Sequence, residues 1–123
     1  MINKQDYINS FEQDIAMVKG DSLIFGFQVE GTEGTLPTDV SFRCTNDYNA
    51  SPNFSASLTD SGILLESYED DVATYSVRIK PEQTANLDVG RYYYDLEMTF
   101  EGTGDVYTLM RGNLDIVPEV KGA

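Results

Sequence analysis

From Asp14 to Val117, apolar and polar positions alternate one by one in segment after segment, the period of a half-buried strand. Asp14–Val18 reads as a short first strand, closed by the turn signal Lys19-Gly20-Asp21. In Ser22–Glu30, Leu23, Phe25, Phe27 and Val29 alternate with Ser22, Ile24, Gly26 and Gln28. Val40, Phe42 and Cys44 do the same against Ser41, Arg43 and Thr45. Shorter strands are expected over Phe54–Leu58 and Gly62–Tyr68, joined by Thr59-Asp60-Ser61-Gly62. Glu69-Asp70-Asp71 leads into Val72–Lys80, where Ala73, Tyr75, Val77 and Ile79 share a face. The pattern breaks at residues 81–87. Proline at a first helical position, followed by acid and amide, predicts one helical turn crossing the end of the molecule.

Two long strands close the chain. Gly102-Thr103-Gly104 suits a three-residue hairpin loop, with Gly104 at positive φ. That loop sets Glu101 opposite Asp105 and carries the register outward: Phe100 to Val106, Met98 to Thr108, Leu96 to Met110, Tyr94 to Gly112, Tyr92 to Leu114. One face is then nearly all apolar. The other pairs Asp95 with Arg111 and Arg91 with Asp115, and it also carries Tyr93 and Tyr107.

Composition changes the picture chiefly by exclusion. The 123 residues make one domain. Twenty-one acidic residues face eight basic ones, a net charge of −13, which repels phosphate and argues against nucleic acid as a partner. There is no histidine and one cysteine, Cys44. An internal disulfide, a His/Cys zinc site and a nucleophile–His dyad are therefore outside this chain's means. Cys44 falls on an inward strand position, as a small buried hydrophobe. The densest acidic group, Glu66, Glu69, Asp70 and Asp71, sits at an expected hairpin tip without calcium-loop spacing. No metal, cofactor or catalytic set is expected, and the chain reads as non-enzymatic. Met1 is followed by Ile2-Asn3-Lys4-Gln5-Asp6, a largely polar run without the apolar core of a secretory leader, and no apolar run reaches the roughly 18 residues of a membrane span.

Two stretches stand out as contact surfaces. Asn46–Asn53 is the longest polar loop and offers Asn46, Asp47, Tyr48 and Asn49. Residues 1–13 form an N-terminal arm in which Tyr7, Ile8 and Phe11 are spaced to share a helical face. Tyr93 and Tyr107 add aromatic surface of the kind that stacks sugars or anchors interfaces.

Asp88-Val89-Gly90-Arg91-Tyr92 resembles the tyrosine-corner motif of immunoglobulin domains. The resemblance implies that the Tyr92 hydroxyl bonds backbone a few residues upstream. It also puts Tyr94 where antibody domains have a cysteine, and no partner cysteine or tryptophan completes that pattern. The expected fold is thus an all-β, immunoglobulin-like antiparallel sandwich of about 7–8 strands spanning residues 14–118, with a tail at 119–123. A wider resemblance rests on Lys19-Gly20-Asp21-Ser22 with its alternating phenylalanines, the run Leu87–Leu96, and Thr108–Pro118. In this order they are similar to the small immunoglobulin-like domains of tailed-phage and prophage structural proteins, such as the N-terminal domains of baseplate upper proteins. That resemblance implies a structural or assembly protein of a particle, made in the bacterial cytoplasm and carried in the virion. Its partners would be other virion proteins or further copies of itself. A carbohydrate-binding or adhesive module is the alternative.

Overall fold

The computed structural model describes residues 2–3, 11–30 and 34–119. They build two sheets packed face to face. The first has the order β1 (Ile2–Asn3), β4 (Leu23–Glu30), β8 (Val72–Ile79), β7 (Ile63–Glu69). The second runs β2 (Phe11–Glu12), β10 (Asp105–Val117), β9 (Gly90–Phe100), β5 (Asp39–Thr45), β6 (Phe54–Ser57), and β3 (Ile15–Val18) also pairs with β10. This is the immunoglobulin-like sandwich. Eight of its strands have four or more residues. All pairings are antiparallel except at the N-terminal side, where β1 runs parallel to β4 and β2 and β3 run parallel to β10.

The alternation explains the core. Phe27 and Val29 of β4, Ala73, Tyr75, Val77 and Ile79 of β8, and Val40, Phe42 and Cys44 of β5 are all buried. Beside β5 in the second sheet, Tyr92, Tyr94, Leu96 and Met98 of β9 are buried as well. Inward aromatics stack across neighbouring strands within each sheet, Phe42 on Tyr94 at 5.1 Å and Phe27 on Tyr75 at 5.2 Å, and Phe25 meets Phe42 edge-on between the sheets at 5.8 Å. The helical turn α1 (Pro81–Thr84) closes one end. Gln83 ties it down: its side-chain oxygen accepts from the Lys80 N–H, and its amide nitrogen donates to the Ser55 carbonyl. Thr84 is fully buried, and its hydroxyl accepts the Gly20 N–H, so the turn locks onto the β3–β4 corner.

The β9–β10 hairpin has the expected partners at its base and different ones at its tip. Met110 pairs with Leu96, Arg111 with Asp95, Gly112 with Tyr94, Leu114 with Tyr92 and Asp115 with Arg91. Nearer the turn, however, Asp105 faces Phe100, Val106 faces Thr99 and Tyr107 faces Met98. The loop holds four residues, Glu101–Gly104, closed by the Gly104 N–H on the Phe100 carbonyl with Gly104 at φ +77°. A bulge between Thr108 and Met110 takes up the one-residue difference. Its physical reason is Leu109, which the three-residue register would turn to solvent and the bulge buries completely. Two expectations fall with it. Val106 lies on the outer face, 53% exposed. Tyr107 joins the row of Met98 and meets Phe100 edge-on at 6.0 Å, away from Tyr93.

The expected arm boundary at residue 13 falls inside the sheet. Phe11 and Glu12 pair with Met110 and Arg111, the ladder is interrupted at Gln13–Asp14, and β3 resumes it in the same register with Leu114–Val117. Gly112 makes room for the close approach of Gln13: a Cβ there would stand 2.8 Å from the Gln13 carbonyl carbon. Tyr94 donates its hydroxyl to the Gln13 carbonyl, and the Asn113 N–H donates to Asp14. Tyr7 and Ile8 lie outside the described residues.

Candidate functional site

On the outer face of the second sheet, an open groove of about 670 Å³ runs over β10, β9 and β5 beneath the loop that follows β5. Loop chemistry builds its rim. The Asp47 carboxylate accepts the Asn49 N–H, the Asn46 N–H donates to the Asn53 side chain, and the Asn53 N–H closes back on the Cys44 carbonyl. Asn46, Asp47 and Asn49 thus shape the loop, and the residue it presents is Tyr48. That ring lies on Tyr93 of β9, centroids 4.8 Å apart at 25°, while 76% of the residue stays exposed. Structure brings together Tyr48 and Tyr93, from regions 45 positions apart in sequence.

Charged side chains form the floor. Arg43 of β5 donates to both oxygens of Asp95 at 3.0 and 2.9 Å, and to Glu97 at 2.9 Å. This corrects the expected Asp95–Arg111 pair. The two residues do face each other in register. Asp95 nonetheless turns to the bidentate fork that β5 offers on its other side. Arg111 reaches Glu12 instead, at 3.5 Å. Arg91 and Asp115 pair as expected, at 2.9 and 3.2 Å. The hydrogen bond from Arg91 holds the Asp115 carboxyl below its ordinary range. The bonds from Asp95 lead the effects that raise the Arg43 guanidinium still further, so it is a permanent cation.

The other singled-out residues sit in the frame. Tyr92 donates to the Asp88 carbonyl at 2.8 Å, the bond implied by the tyrosine-corner resemblance, and Gly90 opens the strand above it at φ +153°. Tyr94 lies under the groove, its hydroxyl pushed up to about 12 by burial and, secondarily, by the charge of Asp14. Cys44 is buried and pushed up to about 12 by burial alone, a packed thiol. At the acidic hairpin tip, Asp70 and Asp71 take positive φ in a two-residue turn, Asp71 accepts from Tyr68, and Glu66 accepts from Ser76. Among the described residues, no three His, Cys, Asp or Glu side chains gather as a metal site, and no helix is long and apolar enough to cross a membrane.

Sequence reasoning missed Arg43, Glu97, Glu12, Asp14 and Asn113 at this face. Arg43 alternates with Phe42 and Cys44, so its outward direction was readable. Its partners required the β5–β9 pairing, which bridges strands more than forty residues apart.

No protein-family model matches the chain, and no curated protein matches it in sequence. Among solved structures it is similar to a family 123 glycoside hydrolase from Clostridium perfringens, whose structure is described for glycolipid glycan hydrolysis. That likeness has 14% identity and a TM-score of 0.57, covering 95% of this chain and 25% of that one. An AA10 lytic polysaccharide monooxygenase from Streptomyces lividans follows at 14% identity and a TM-score of 0.49, over 85% of this chain and 59% of that one. A structure of VGSC beta subunits, described for multimeric cell-adhesive interactions, has 15% identity and a TM-score of 0.41, over 86% and 92%. The chain spans a quarter of the hydrolase's length. At such identity the shared property is the fold alone.

Proposed function

We propose that this chain is a non-catalytic structural and assembly module that acts through protein–protein contacts, and that it belongs to a phage or prophage particle. In this reading it is a tail, baseplate, adaptor or capsid-associated subunit, synthesised in the bacterial cytoplasm and carried in the virion. Its partners are other virion proteins or further copies of itself. The observation that carries the contact role is strand β7. It ends the first sheet, so its outer edge is unpaired among the described residues, and it leaves Leu64 51% and Leu65 40% exposed. An open strand edge beside exposed leucines is a template for a neighbour's strand. The particle assignment rests on the motif order Lys19–Ser22, Leu87–Leu96 and Thr108–Pro118.

Two measurements test this reading. Light scattering of the purified chain, alone and with proteins encoded beside it, reads assembly; mass spectrometry of purified particles reads incorporation. A stoichiometric subunit in particles, with assembly weakened by Leu64→Lys, is expected. A monomer that binds no neighbour and is absent from particles would overturn it. A carbohydrate-binding or adhesive module is the second reading, favoured by the exposed Tyr48 stacked on Tyr93.

A further inference from the structure

We infer that the groove over β5, β9 and β10 is a binding site for an uncharged oligosaccharide, with Tyr48 as its stacking platform. The inference rests on the second reading above and assigns it a place and a ligand class.

Stacking comes first. A sugar ring offers a flat patch of C–H groups on one face and hydroxyls around its rim, so it needs an aromatic plane with hydrogen-bonding groups beside it. Tyr48 provides the plane. Tyr93 covers one side of its ring and holds it flat, and the high exposure of Tyr48 leaves the other side open. A lone tyrosine on a loop would lose rotamer freedom on binding. Here much of that cost is already met by the Tyr93 contact and by the hydrogen bonds that fix residues 46–53.

Rim groups come next. Arg43 is anchored through Nε and Nη2, leaving Nη1 with no hydrogen bond among the described residues. A guanidinium fixed in this way presents planar donors that match adjacent hydroxyls. Asn113 lines the groove, its backbone N–H donates to Asp14, and its side-chain amide has no hydrogen bond among the described residues. Its amide offers both a donor and an acceptor. Arg111 and Glu12, joined at 3.5 Å and both well exposed, can exchange each other for a hydroxyl at little cost.

Charge decides the class of sugar. The chain carries −13, but the groove lining holds three carboxylates, Glu12, Asp14 and Asp95, against two guanidiniums, Arg43 and Arg111. Local charge is thus close to balanced, and Arg43 is already spoken for by Asp95 and Glu97. Such a lining offers no cation in excess to a sialylated or phosphorylated glycan, which the wider field repels. Nor is a surplus of one carboxylate much for a basic peptide to seek. An uncharged, hydroxyl-rich ligand meets neither penalty. The volume, about 670 Å³, lies within the range of small-ligand sites.

The test uses the full chain on an array carrying uncharged hexose and N-acetylhexosamine oligosaccharides together with sialylated and phosphorylated ones. Any glycan retained is then titrated calorimetrically against the chain and its Tyr48→Ala, Tyr48→Phe and Asn113→Ala variants. Expected is retention of uncharged glycans only, with affinity down at least ~10-fold in Tyr48→Ala and Asn113→Ala. Tyr48→Phe should keep the stacking and most of the affinity. Thermal unfolding of Tyr48→Ala should match the parent, since that ring is largely exposed. Glycan binding that ignores Tyr48 and Asn113 overturns the groove while leaving the carbohydrate reading in place. Retention of anionic glycans alone overturns the ligand class. Retention of none, in a chain whose thermal unfolding is cooperative, overturns both.

Discussion

Arg43 shows how a single side chain can redirect a network that looks settled from its neighbours. Asp95 faces Arg111 across β9 and β10, and a two-strand view makes them a pair. On the other side of β9, Arg43 stands opposite Asp95 in the β5 register, and its Nε and Nη2 reach both carboxylate oxygens. A bidentate bond outcompetes a single contact, so Arg111 is left to Glu12. The consequence is measurable. A double-mutant cycle on Arg43→Met and Asp95→Asn should give a coupling of about 0.5–1 kcal/mol, the upper end for partly exposed pairs. The same cycle on Arg111 and Asp95 should give a coupling near zero in urea denaturation. Equal couplings would mean that Asp95 divides its carboxylate between the two arginines.

At the level of elements, the instructive case is the terminal hairpin with the strand laid beside it. Strand positions, the base of the hairpin and the tyrosine corner were all legible, because period-two alternation and short turn motifs are local signals. The one-residue offset at the tip was not. A four-residue loop followed by a bulge gives the same partners from Met110 onward as a three-residue loop without one, so the base of the hairpin cannot distinguish them. Leu109 was the available clue: an apolar residue that strict alternation assigned to the polar face. The Tyr48–Tyr93 rim was half legible. Both tyrosines were singled out, but their contact depends on a loop folding over a strand far along the chain. The role of Gly112 was hidden for the same reason, since the residue it accommodates is Gln13. Gly112→Ala should destabilise the protein by about 1–3 kcal/mol, because its methyl group meets backbone and not a flexible side chain. Urea unfolding reads this directly. Gly102→Ala, with open space around it, is the control and should change stability far less.

For the molecule as a whole, stability should be lost on the alkaline side. Burial pushes Tyr75, Tyr94 and Cys44 each up to about 12, from ordinary values of 10, 10 and 9. For these acids the folded state keeps its proton longer than the unfolded state. Their contribution is therefore complete well below the ordinary values, and it is lost as pH rises through them towards 12. Within that window each pH unit removes on the order of 1 kcal/mol per group. Unfolding midpoints in urea should fall steeply above pH 10, and the near-ultraviolet tyrosinate signal should lag the ordinary titration until the fold is lost. Tyr94→Phe should blunt the fall. At the acid end Asp115 acts in the opposite sense: its depressed carboxyl contributes above the ordinary carboxylate range, and that contribution fades as pH drops through the folded value. The parallel pairing of β3 with β10 has a mechanical meaning as well. The chain enters β3 at Ile15, beside Leu114, and leaves β10 at Val117, beside Val18. Tension applied between the segment before β3 and the segment after β10 therefore pulls at opposite ends of one paired ladder. Its hydrogen bonds are loaded together in shear and cannot be unzipped singly. A domain built this way resists being drawn out along its own chain.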